Sequence, residues 1–202
     1  MTADMGDNHN ALTGFHTEAL DVNNWPDLER LFGARGACGG CWCMWWVLPR
    51  KQYDAQKGEA NKQALRARVE AGEVPGLLGY IGDEPVAWCA VQPRQAYPAL
   101  ERSRTLARVD EQPVWSIVCL FVARKYRRKG ISTLLLASGV EHAGRQGASI
   151  VEGYPVEPRS EKMPDAFAWT GTLTAFRRAG FVEVARRSET RPIVRYLRQA
   201  TD

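Results

Sequence analysis

The chain has 202 residues, 45% of them apolar, and carries 27 Lys and Arg against 23 Asp and Glu for a formal charge of +4. That length supports one α/β domain with a full core, the composition argues against wholesale disorder, and the charge falls short of a dedicated nucleic-acid binder. No run approaches the roughly eighteen apolar residues that cross a bilayer, and the opening MTADMGDNHN has neither a basic n-region nor an apolar h-region, so a cytoplasmic protein without membrane contact is expected.

In chain order, residues 1–12 read as a polar tail and 13–202 as a single domain. GFHTEALD (14–21) predicts a strand, and the Asn-Trp-Pro that follows predicts a helix start, with Trp25, Leu28, Leu31 and Phe32 on one face as far as Gly33. GACGGCWCMWW (36–46) then concentrates cysteine and tryptophan as no other segment does. Cys38, Cys41 and Cys43 offer three thiolates where a structural zinc takes four ligands, and no fourth is evident, so no metal is expected, and much less than one zinc per chain. Trp42, Trp45 and Trp46 read equally as core and as the wall of a binding site.

From Tyr53 to Ala71 the polar composition and a thin stripe of Ala64, Leu65, Arg68 and Val69 predict an exposed helix. GLLGYI (76–81) and VAWCAVQ (86–92) flank a Gly-Asp turn and predict an antiparallel hairpin. A loop of about twenty residues follows and is expected to reach over a site. VWSIVCLFVA (114–123) is continuously apolar, β-branched and aromatic, as a strand buried on both faces requires. Gly130 opens a helix running to about Gly147, with Ile131, Leu134, Leu135 and Ser138 on one face, and a buried strand follows at 149–154. Strand, helix and strand over some forty residues predict a right-handed crossover between two parallel strands. A helix around 171–179 and strands near 182–188 and 193–198 complete the chain.

The strand-to-helix junction LFVARKYRRKGISTLLL carries the chemistry. Five of the six residues from Arg124 to Lys129 are cationic, and a turn at a helix N-terminus presents backbone N–H groups and a favourable dipole to phosphate. Arg127, Gly130 and Ser132 fall in an R-x-x-G-x-[small] pattern. With the preceding strand, the Leu-rich helix and AFRRAGF (175–181), this stretch resembles the GNAT superfamily of acyl-CoA-dependent N-acetyltransferases, over most of residues 76–190.

The resemblance implies an α/β fold of GNAT type: a mixed sheet with a central parallel β-α-β crossover and splayed strands. It implies acetyl-CoA as the acyl-donor substrate, with the backbone of Leu120, Phe121 and Val122 pairing with pantetheine like an added strand. Arg127, Arg128, Lys129, Gly130, Ile131, Ser132 and Thr133 would hold the pyrophosphate. The implied activity is acetyl transfer to an unidentified amine, with Cys43 and Trp46 beside the acceptor. Two positions depart from the pattern: Ser132 stands where Gly or Ala is preferred, and Phe176 where many members carry a proton-donating Tyr.

With Phe176 unable to serve, Glu152 is expected as general base and Tyr154, two residues on and on the same strand face, as acid. Two rivals share the sequence: an acyl-CoA sensor or interaction module without turnover, and a nucleic-acid binder using the RKYRRK stretch. Oligomeric state stays open, a homodimer included.

Overall fold

The computed structural model describes residues 13–157 and 168–198; the polar tail lies outside them. Among the described residues seven strands form one sheet in the order β1-β2-β3-β4-β5-β7-β6. They are β1 Phe15–Ala19, β2 Gly76–Ile81, β3 Glu84–Pro93, β4 Trp115–Val122, β5 Ile150–Gly153, β6 Val182–Arg186 and β7 Pro192–Leu197. Among these strands β4 and β5 pair in parallel, joined through the helix Ile131–Arg145, and the other neighbouring strands pair antiparallel. The fold is thus the mixed sheet with a parallel crossover that the sequence implies.

The helices are α1 Trp25–Phe32, α2 Arg50–Ala55, α3 Glu59–Glu70, α4 Pro98–Glu101, α5 Ile131–Arg145 and α6 Leu173–Arg178. The stretch expected as one helix over 53–71 is two, because Gly58 sits at φ +91° and breaks the ladder before α3. The buried face of α5 is also turned from the expected one. Ile131, Leu135, Leu136, Gly139, Val140 and Ala143 face the sheet, while Leu134 and Ser138 are half-buried. Gly139 suits this orientation: a Cβ there would come against the end of the Ile117 side chain on β4, so glycine lets helix and sheet lie close.

The sheet separates two apolar layers. One packs α5 and α6 against Leu77, Val86, Val91, Ile117 and Val194. The other packs α1, α3 and the cysteine- and tryptophan-rich turn against Leu78, Trp88 and Val118. Full burial of each large apolar side chain contributes roughly 1.5–3 kcal/mol before conformational entropy is set against it.

Parallel pairing stops early. Trp115, Ser116 and Ile117 of β4 face Val151, Glu152 and Gly153 of β5, and beyond Ile117 the two strands diverge. Residues 169–173 enter that wedge: Leu120 N–H donates to the Trp169 carbonyl (2.7 Å) and Val156 N–H to the Gly171 carbonyl (2.9 Å). The Phe176 ring fills its base against Gly153 and Gly171, where any Cβ would collide with it.

Candidate active site

The register of β4 decides which of its polar groups are free. Ala123 N–H donates to the Val86 carbonyl (2.9 Å), so Phe121 and Cys119 turn their main-chain groups toward β3 and Leu120 and Val122 turn theirs toward the wedge. There the Val118 carbonyl accepts from Trp46 Nε1 (3.1 Å) and the Val122 carbonyl from Arg127 Nε (2.9 Å). Two groups on this edge, the Leu120 carbonyl and the Val122 N–H, make no hydrogen bond among the described residues. They form an acceptor and donor pair matched to an extended amide chain.

A cavity of about 500 Å³ opens along this edge. Leu120, Phe121 and Val122 form one side, the turn and first residues of α5 close one end, and Trp169, Thr172, Thr174 and Arg178 face them from the wedge segment and α6. Arg128 (φ +61°) and Gly130 (φ +87°) are both left-handed, and no side chain caps α5. The Ile131 and Ser132 amides therefore have no acceptor among the described residues and lie at the cavity end, an arrangement suited to an anion. Arg127, Arg128 and Arg178 line the cavity, and among the described residues no Asp or Glu does.

The rest of the cationic run is held elsewhere. Lys125 pairs with Glu84 (2.7 Å), which also accepts from the Tyr126 hydroxyl (2.7 Å), tying the turn to the β2–β3 hairpin. Hydrogen bonds from Lys125 and Tyr126 hold the Glu84 carboxyl below its ordinary range. Lys129 lies over the Tyr126 ring at 5.8 Å.

At the paired end of the same two strands lies a buried charge network. Glu152 is 1% exposed and Tyr154 fully buried. Glu152 Oε1 accepts from Arg94 Nη1 (3.0 Å) and the Tyr154 hydroxyl (2.7 Å), and Oε2 accepts from Arg195 Nε (2.8 Å). Tyr154 also meets Ser116 Oγ (2.8 Å) and accepts from Arg94 (2.8 Å). Burial and the neighbouring Glu152 charge push its phenol well above the ordinary range. Arg94 reaches on to Glu101 and the Leu106 carbonyl, and Arg195 forks onto both oxygens of Asp110. The network thereby fastens the loop between β3 and β4 to the sheet.

Residues 42–169 match the sequence profile of the Acetyltransferase (GNAT) family. The chain belongs to that family. Among solved structures, a GNAT-family acetyltransferase from Streptococcus agalactiae is similar in fold with a TM-score of 0.55 at 12% identity, over 92% of this chain and 96% of that one. One from Listeria monocytogenes gives 0.52 at 8% identity, over 91% and 94%. The PaiA N-acetyltransferase of Thermoplasma acidophilum, solved in complex with coenzyme A, gives 0.50 at 11% identity, over 91% and 99%. No curated protein matches the sequence. No helix among the described residues is long and apolar enough to cross a membrane.

In this GNAT domain the residues expected at the acyl-CoA site assemble on one cavity, apart from Lys129, which turns to Tyr126. Glu152 and Tyr154 do come together, as expected, but in the closed network rather than on the cavity wall. Cys43 and Trp46 also lie behind that wall. Cys43 Sγ accepts from Trp88 Nε1 (3.1 Å) and meets Cys119 Sγ at 3.4 Å, and the Trp46 indole is spent on Val118. Their turn reaches the cavity through Ala37 and Cys38 instead. The Cys119 contact, with burial, raises the Cys43 thiol well above its ordinary range, away from the thiolate a nucleophile or metal ligand needs. Among the described residues no three His, Cys, Asp or Glu side chains are placed to hold a metal ion.

Sequence reasoning missed the second wall, Trp169 to Arg178. The only signal for it was Gly171, whose φ of +82° and close approach to Leu120 and Phe176 demand glycine.

Proposed function

We propose that this GNAT domain transfers an acetyl group from acetyl-CoA to an amine acceptor, with the cavity beside β4 as the acyl-CoA site. The observation that carries the reading is the unspent Leu120 carbonyl and Val122 N–H on the edge of a cavity that ends at the uncapped amides of α5. An extended pantetheine chain would use the first pair and a diphosphate the second. The cavity volume is in the range of small-molecule sites, and its three arginines suit a polyphosphate ligand.

Transfer needs a neutral amine, support for the tetrahedral oxyanion and departure of the thiolate. Among the described residues the cavity lining has no Asp, Glu or His, which favours loss of the amine proton to solvent at the cavity mouth. Thiolate departure needs no dedicated acid, because a thiol with a pKa of about 8.5 is a fair leaving group near neutral pH. Leu120 N–H is the oxyanion donor, released as the thioester carbonyl replaces that of Trp169. Glu152 and Tyr154 act as positioning residues: their network sets the end of β4 and the spacing to β5, and thus where Leu120 stands.

The test is calorimetry with acetyl-CoA and CoA, then thiol release against a panel of amines. Micromolar to sub-millimolar binding with amine-dependent release supports the reading, and no heat at millimolar ligand removes it. A second reading, an acyl-CoA binder without turnover, draws on Phe176, which has no proton to give to the departing thiolate. Tight binding without thiol release from any amine would favour it.

A further inference from the structure

The cavity holds one cation that the diphosphate end does not account for. Arg178 closes the last turn of α6, on the wall facing the α5 turn. Arg177 beside it is directed toward Glu183 (3.8 Å), whereas Arg178 has neither hydrogen bond nor ion pair among the described residues. Arg127, by contrast, is engaged with the Val122 carbonyl, and Arg128 belongs to the turn that opens α5. A guanidinium without a described partner, on a cavity wall whose described residues include no carboxylate, is a site for a further anionic group.

We infer that Arg178 binds the 3′-phosphate of the coenzyme, so that this wall selects CoA thioesters over carriers ending in diphosphate alone. The inference rests on the acyl-CoA reading above. CoA carries two separated anionic groups, the diphosphate and the ribose 3′-phosphate. The α5 amides and Arg128 serve the first from one wall, and Arg178 serves the second from the other. A guanidinium is suited to this work because its planar fork meets two phosphate oxygens at once, which an ammonium cannot do.

The experiment is calorimetric titration of the wild type, Arg178→Gln, Arg178→Lys and Arg128→Gln with CoA and with 3′-dephospho-CoA. The wild type should bind CoA about tenfold more tightly than 3′-dephospho-CoA. Arg178→Gln should erase that preference by weakening CoA alone, with 3′-dephospho-CoA unchanged within about twofold. Arg178→Lys should keep part of the preference, and raised salt should narrow it. Arg128→Gln should weaken both ligands in parallel. A wild type indifferent to the 3′-phosphate, or an Arg178→Gln variant that weakens both ligands equally, overturns the inference while leaving acyl-CoA binding intact. A wild type that binds neither ligand overturns the acyl-CoA reading and this inference with it. Among the described residues Arg178 has no bond to lose, so unchanged melting of the free variant separates binding from folding.

Discussion

β4 and β5 carry two polar regions a few residues apart, and they are built in opposite ways. Where the strands pair, Glu152, Tyr154, Ser116, Arg94 and Arg195 satisfy one another and exclude water. Where the strands diverge, the Leu120 carbonyl and the Val122, Ile131 and Ser132 N–H groups have no partner among the described residues, beside a cavity of about 500 Å³. A buried ion network gains little beyond cancelling its own desolvation and makes no new partner. The unsatisfied edge is the one with hydrogen-bonding capacity to offer. Charge and burial alone point to the first region as the chemical centre, and the hydrogen-bond inventory points to the second.

The largest expected effect breaks the open region. Gly130→Glu adds a Cβ at φ +87° and a negative charge at the phosphate end, so CoA affinity should fall by roughly a hundredfold or more, and the thermal stabilisation by ligand should vanish. Calorimetry and melting curves with CoA read both.

Next is the closed region. Arg94→Met leaves Glu152 and Tyr154 without a shared donor and should cost about 3–5 kcal/mol in urea unfolding. Glu152→Gln sharpens the contrast between the regions. As a positioning residue it should lower stability by about 2–3 kcal/mol while the acidic limb of the pH–rate profile continues to follow the acceptor amine. A stable Glu152→Gln variant with kcat down about a hundredfold and the acidic limb gone would instead make Glu152 the base.

Phe176→Tyr probes the seam between them. The ring is fully buried against Gly153 and Gly171, so an added hydroxyl must be fitted into an already packed seam. It should destabilise by about 1–3 kcal/mol without raising the rate. A faster, equally stable variant would show that proton supply limits turnover.

The smallest effect concerns pH. The hydrogen bonds from Arg195 hold the Asp110 carboxyl below its ordinary range. A depressed carboxyl adds stability above its unfolded pKa of about 3.9 and loses it as pH falls through the folded value. The gap in urea midpoint between wild type and Asp110→Asn should therefore be full at pH 6 and close below about pH 4. A gap that persists at pH 2 would place the effect in packing rather than charge.

Local order was legible in the sequence because periodicity and turn chemistry act over a few residues. The β2–β3 hairpin, the buried β4, the phosphate turn at Gly130 and the crossover to β5 all follow from apolar runs, glycines and charge. The same signals marked most of one cavity wall, since backbone groups at a strand end and a helix start are contiguous in the chain. Tertiary structure alone decided the rest. Glu152 shares a strand face with Tyr154 whatever surrounds them, but whether that face meets solvent depends on Arg94, 58 residues away, and Arg195, 43 residues away. Cys43 and Trp46 likewise lost their place on the cavity wall to Ala37 and Cys38, because left-handed backbone at Ala37, Trp42 and Cys43 turns the loop in a way composition does not encode. Sequence fixes which groups a segment carries; the long-range partners that satisfy or spare those groups determine which remain free to act.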